Sequence, residues 1–107
     1  MNDKILTLLG FASKAGKLSY GFDAVKTALT QGKSKLVLIA NDVSPKSQKE
    51  VLFHSEKFKT SVELLTTYDM ETISHAVGRK CGIISVNDSS FATGLLSAIN
   101  VGRKLND

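Results

Sequence analysis

The 107-residue chain contains one cysteine, one proline and no tryptophan. The single thiol, Cys81, excludes an internal disulfide and a cysteine-based zinc site, so the fold rests on its core and hydrogen bonds. The two histidines, His54 and His75, lie far apart with no partner at metal-ligand spacing. Long hydrophobic runs are also missing. The longest, from Leu36 to Ala40, covers five residues, against the ~20 that a bilayer-spanning helix requires. The first apolar stretch, Ile5 to Ala12, is broken by Thr7 and Gly10 and carries helical spacing, unlike a secretion signal. A cytoplasmic protein outside the membrane is expected. Nucleotide signatures are absent too. Gly16-Lys17 and Gly32-Lys33 lack the upstream glycine of a P-loop, and neither a G-x-G-x-x-G turn nor a nucleophile elbow occurs. No cofactor is expected.

What is present is an ordinary globular balance of apolar and charged residues. The length suits one domain, 1–107, able to bury a core of its own. Fourteen basic residues against ten acidic ones give a net charge of +4 and an isoelectric point near 9.3. The excess is modest and favours an acidic partner such as nucleic acid.

Periodicity and capping residues divide the chain. From Asp3 to Lys14, Ile5, Leu8, Leu9 and Ala12 form one apolar helical stripe. Lys17 to Tyr20 is a short connector or brief edge strand. A second helix, about Phe22 to Gln31, turns Phe22, Val25, Ala28 and Leu29 inward and Asp23, Lys26, Thr27 and Thr30 outward. Leu36 to Ala40, apolar on both alternating faces, predicts a central strand covered on both sides. Ser44-Pro45 predicts a helix start, although Ser47 and Glu50 also have capping-box spacing. That helix carries Val51, Leu52 and Phe58. Ser61 to Leu65 reads as a strand. Asp69 caps a fourth helix with Met70, Ile73 and Val77 on one face. Gly78 to Gly82 is a tight basic loop, and Ile83 to Val86 another strand. A last helix begins near Asp88 or Ser89 and carries Phe91, Leu95, Ala98 and Ile99, with Arg103 and Lys104 suited to its terminal dipole. The alternation predicts an α/β fold: a three-layer α/β/α sandwich with a central mixed, mostly parallel sheet of about four strands.

The stretch from Lys14 to Pro45 organises the functional reading. Gly21 opens a helix, Gly32 closes it, and a basic linker leads into the buried strand. A helix start offers free N–H groups and partial positive charge to an anion. Phe22 lies in the apolar stripe, which favours core packing over stacking on a base. Tyr20 is placed equally well for either role. Any single lysine suits a solvated face; only their grouping around two loops suggests a contact surface.

The sequence from Gly16-Lys17 through Gly21 to Gly32, the lysine-rich linker, Leu36 to Ala40, Asp42-Val43 and Pro45 resembles the ribosomal protein L7Ae/L30e family. So does Ile73 to Gly82, with its Ala76-Val77-Gly78 turn, and the likeness covers nearly the whole chain. It is strongest to the small bacterial members. The resemblance implies an α/β/α sandwich that binds kink-turn or similar structured RNA, ribosomal RNA first, beside ribosomal proteins, and that is not an enzyme; a monomer is expected. The family glycine matches Gly21. An Asn-Glu pair often follows it, and a lysine stands six residues on. Here those positions hold Asp23, Ala24 and Thr27, with Lys26 one residue early, a shift of about 100° around the helix. The implied RNA-binding set is Lys17, Gly21, Phe22, Asp23, Lys26, Thr27, Lys33, Lys35, Arg79, Lys80 and Cys81.

A rival reading comes from Asn41-Asp42 and Asn87-Asp88, both at the carboxyl ends of apolar strands, where α/β proteins bind ligands. Two such aspartates could hold Mg²⁺ in a phosphate-handling or phosphate-sensing domain. The plainer alternative is that both cap turns and helix starts.

Overall fold

The computed structural model describes residues 3–106, with side chains described as far as residue 102. Five helices alternate with four strands: α1 (Lys4–Lys14), β1 (Leu18–Tyr20), α2 (Phe22–Thr30), β2 (Leu36–Ala40), α3 (Pro45–Lys57), β3 (Ser61–Leu65), α4 (Met70–Val77), β4 (Ile83–Val86) and α5 (Ser89–Asn106). The boundaries follow local chemistry. Asp3, Ser44 and Asp69 each accept a backbone N–H from the first turn of α1, α3 and α4, and Asp88 accepts the N–H of Phe91 in α5. Pro45 occupies the first turn of α3, where its missing N–H costs nothing. The side chains of Arg103 and Lys104, expected to complement the end of α5, lie outside the described residues.

The sheet order is β1-β4-β2-β3. Helices α2 and α3 cover one face and α1, α4 and α5 the other, giving the expected three layers. Every residue of β2 is buried, as its unbroken apolar run requires. The core reaches from Leu9 and Ala12 through β2 and β4 to Leu95 and Ile99. Burying one such large aliphatic side chain stabilises by about 1.5–3 kcal/mol. No described helix is long and apolar enough to cross a membrane.

The sheet is mixed, as expected, but only the β2–β3 pairing is parallel; β1–β4 and β2–β4 are antiparallel. The reason lies in α4. It does not carry the chain to the far end of the strands, and the turn after it enters β4 from the edge where β3 finished. β4 therefore begins beside Ile39, at the end where β2 finishes. Not every apolar residue named on these helices reaches the core. Leu52, Phe58 and Met70 are 48%, 37% and 41% exposed, while Val51, Ser55, Ile73 and Val77 carry the packing of α3 and α4.

Two polar groups in this frame give testable consequences. Ser55 is fully buried and its Oγ has no hydrogen-bond partner. Ser55→Ala removes an unsatisfied hydroxyl and improves helix propensity, so it is expected to stabilise by up to ~1 kcal/mol in a denaturant melt. A clear loss of stability would show that the hydroxyl has a partner.

Tyr68 donates its hydroxyl to Asp3 Oδ2 at 2.5 Å, tying the β3–α4 connection to the start of α1. Burial first, then the hydrogen bond and charge of Asp3, push its pKa from 10.0 to about 12. The folded value lies above the unfolded one. The stability linked to this proton is therefore complete below pH 10 and lost as pH rises through about 12. A phenolate absorbance titration is expected to show a step near pH 12 that Tyr68→Phe removes; a wild-type protein in which no step is lost near pH 12 on that substitution would contradict this linkage.

Candidate nucleic-acid interface

Four helices begin under a side-chain cap and α2 does not. Its N-cap is Gly21, at φ 86° and ψ 163°, a region open only to glycine. The Gly21 N–H is used, donating to Ile83 O at 2.8 Å. The N–H groups of Phe22, Asp23 and Ala24 come before the first intrahelical bond, from Val25 N–H to Gly21 O. With no cap side chain they point outward, at the positive end of the helix dipole.

The Gly78–Gly82 turn stands next to this tip. Gly78 ends α4 in the left-handed conformation at φ 76°. Ser74 then clamps the turn: its Oγ accepts the Cys81 N–H at 2.9 Å and donates to Cys81 O at 3.1 Å. The Arg79 guanidinium lies 4.8 Å from the centre of the Tyr20 ring. Ser13 Oγ donates to Val77 O at 2.8 Å, so its contact with Tyr20 at 2.6 Å is one in which the tyrosine hydroxyl donates. Tyr20 is thus held at both ends, by Ser13 and by Arg79, and it fixes the turn to the residue before Gly21.

Glycine is also required at the far end of the turn. A Cβ on Gly82 would fall 2.9 Å from Val43 Cγ2 and 2.6 Å from Met70 Cγ and Sδ. Met70 is half-exposed and can move aside, but Val43 is buried in the core. Gly82→Ala is expected to cost about 1–3 kcal/mol, read as a lowered melting midpoint; an unchanged midpoint would mean that Val43 yields freely. Beside the turn lies a groove of about 620 Å³ lined by Asp42, Met70, Ser74, His75, Arg79 and Lys80, among others.

The site residues named from the sequence divide into three groups. Gly21, Phe22, Asp23, Arg79, Lys80 and Cys81 meet at one edge of the sheet. Asp23, Arg79 and Lys80 are exposed. Phe22 is half-buried, its ring 5.9 Å from that of His54 on α3, so it packs between helices. Cys81 is buried with its sulfur toward Arg79 O. Burial raises its thiol pKa, against the opposing effects of Arg79 and Ser74, so its side chain braces the turn from within. Lys26 and Thr27 lie on the exposed face of α2, and the Thr27 hydroxyl is spent on Asp23 O at 3.0 Å.

Lys17, Lys33 and Lys35 do not join that edge. Lys35 N–H donates to Val86 O and Asn87 N–H donates to Lys17 O, each at 2.8 Å, which puts these lysines where β4 ends. Gly21 and Arg79 stand where it begins, about 13 Å away along the strand. Tyr20, Ser13 and Ser74 are the residues that hold the site together. Of these only Tyr20 carried a signal in the sequence, its position beside Gly21.

The same antiparallel β4 separates Asp42 from Asp88. One follows the end of β2 and the other the end of β4, and those ends lie on opposite edges of the sheet. Both carboxylates are occupied, Asp42 Oδ1 by Met70 N–H and Asp88 Oδ2 by Phe91 N–H, each at 2.9 Å. They cannot share one metal ion, so the two-aspartate reading falls and the capping alternative holds.

The fold and this edge define a small α/β/α domain with an amide-rich, cationic tip. The family model described as the ribosomal protein L7Ae/L30e/S12e/Gadd45 family matches residues 3–94, and the chain belongs to that family. An RNA-binding protein YlxQ of Enterococcus faecium is 28% identical over 89 residues, covering 83% of this chain and 84% of that one. The large ribosomal subunit protein eL30 of Candida glabrata is 32% identical over 92 residues, covering 81% and 87%. A solved structure from Bacillus halodurans, titled as a protein with unknown function, superposes with a TM-score of 0.87 at 26% identity, covering 92% and 99%.

Proposed function

We propose that this protein is a non-catalytic, cytoplasmic RNA-binding protein that recognises kink-turn or similarly irregular RNA and works beside the ribosome as a monomer. The observation that carries the reading is the uncapped start of α2 held against the Arg79-Lys80 turn by Tyr20. The names of its relatives, an RNA-binding protein and a large-subunit ribosomal protein, point the same way.

The chemistry suits a folded RNA better than a regular duplex. The A-form major groove is too narrow for side chains, so proteins read bends where bases are splayed out. The three outward N–H groups of α2 can donate to phosphate or base acceptors. The Asp23 carboxylate repels phosphate and instead accepts from guanine N1 and N2 or cytosine N4. Arg79 and Lys80 neutralise phosphates, and the groove beside them has room for an unstacked base. Ala24 and Thr27, where the family often carries polar and basic groups, shift weight from base reading to shape and charge.

A gel-shift titration with a kink-turn hairpin at two salt concentrations tests this. Binding that weakens steeply with salt is expected. No binding at the lower salt, where phosphate contacts are strongest, removes the reading.

A further inference from the structure

The lysines that do not reach the α2 tip converge elsewhere. Leu18, Val86, Leu36 and Ser61 stand in register across all four strands. Lys17 and Lys35 each precede a strand in that row, on either side of Asn87 and about 10 Å apart by strand spacing. Lys33 lies two residues before Lys35, and Lys59 two residues before Ser61. All four are exposed. The nearest acidic residue along β4, Asp88, turns its carboxylate onto Phe91 N–H.

Two further observations set this edge apart from a merely solvated face. First, it is rigid. Ser34 donates to Ser85 Oγ, Ser85 donates to Asn87 Oδ1, and Asn87 Nδ2 donates to Ser19 Oγ, at 2.7, 2.6 and 2.8 Å. Ser34 and Ser85 are buried, so the polar chain fixes the backbone from which Lys17 and Lys35 project. Second, Lys59 occupies a glycine position. Helices α1, α2 and α4 are each followed by a left-handed glycine, Gly16, Gly32 and Gly78, whereas α3 is followed by Lys59 at φ 55°. A side chain there is disfavoured, and what it adds is charge at this edge.

The geometry points to a second RNA contact: Lys17, Lys33, Lys35 and Lys59 grip the phosphate backbone of a strand leaving the RNA held at the α2 tip. It rests on the RNA-binding reading above. The two surfaces lie at opposite edges of the sheet, so one RNA that wraps the domain can occupy both. Contact is through phosphates and without sequence preference, because the four lysines supply charge and read no base edge.

The test compares two probes on the full chain: a minimal kink-turn hairpin, and the same hairpin with a single-stranded uridine tail of about 12 nucleotides. The tail is expected to tighten wild-type binding about tenfold at low salt. Lys33→Gln/Lys35→Gln/Lys59→Gln is expected to erase that gain, lower the salt slope by about two, and leave the hairpin alone unchanged. Lys59→Gly separately is expected to raise the melting temperature while weakening tailed-RNA binding, a combination a structural role cannot give. A tail that adds nothing, a triple variant that keeps the gain, or one that weakens the bare hairpin equally overturns the second contact while the α2 site stands. Failure of wild-type protein to bind either probe overturns both.

Discussion

Arg79→Glu/Lys80→Glu is expected to abolish binding to a kink-turn hairpin at physiological salt while lowering the melting temperature by only a few degrees, through loss of the Arg79–Tyr20 contact. Both side chains are exposed, and neither is part of the core, so the fold does not need their charge. The pair changes by four units of charge, directly beside the uncapped amides of α2. Each lost phosphate contact removes roughly 0.7–0.9 from the salt slope, and two acidic groups then repel what two basic ones attracted. A milder pair separates charge from geometry. Arg79→Lys keeps the charge but loses the planar stack on Tyr20. An exposed cation–π contact is worth about 0.5–1 kcal/mol, so Arg79→Lys and Tyr20→Leu should each weaken binding only about two- to fivefold. Equal losses for Arg79→Lys and Arg79→Glu would mean that shape, not charge, carries the contact.

Leu38→Ala should produce the largest loss of stability. Leu38 sits in the middle of β2, is 1% exposed and lies between the two helix layers. Closed packing on both faces leaves little room for the surroundings to collapse into the cavity, so the cost is about 2–5 kcal/mol. That is a large share of the ~5–15 kcal/mol available to a domain, and corresponds to a fall of roughly 10–30 °C in melting temperature. A fall of only a few degrees would show that β2 is less tightly enclosed than its burial indicates.

The parts of this fold legible in the sequence are those written in local chemistry. Asp3, Ser44-Pro45 and Asp69 mark helix starts because capping needs only neighbours in the chain. The five-residue apolar run of β2 can only be a covered strand. The direction of β4 is different. It depends on how far α4 travels across the sheet, which is a matter of packing and not of pattern. Leu52 and Phe58 fit an apolar helical face by composition, yet α3 rests on the sheet through Val51 and Ser55 and leaves them partly exposed.

The functional surface follows the same division. Gly21 is visible as a helix start, and the structure adds that no side chain caps it. Arg79 and Lys80 are visible as a basic turn, but their nearness to Gly21 depends on Tyr20 and Ser13, which carry no charge pattern. Lys33 and Lys35 look close to Gly21 because they follow the same helix. Nine residues of α2 carry them to its other end. Charge grouping along a chain is therefore a poor guide to charge grouping in space.

The most direct measurement is an amide chemical-shift titration of the isotope-labelled protein with a kink-turn hairpin. The amides of Phe22, Asp23 and Ala24 should move first and furthest, together with those of Arg79 and Lys80. Shifts confined to other surfaces, such as the exposed side of α3, with these five amides unmoved, would contradict an RNA site at the tip of α2.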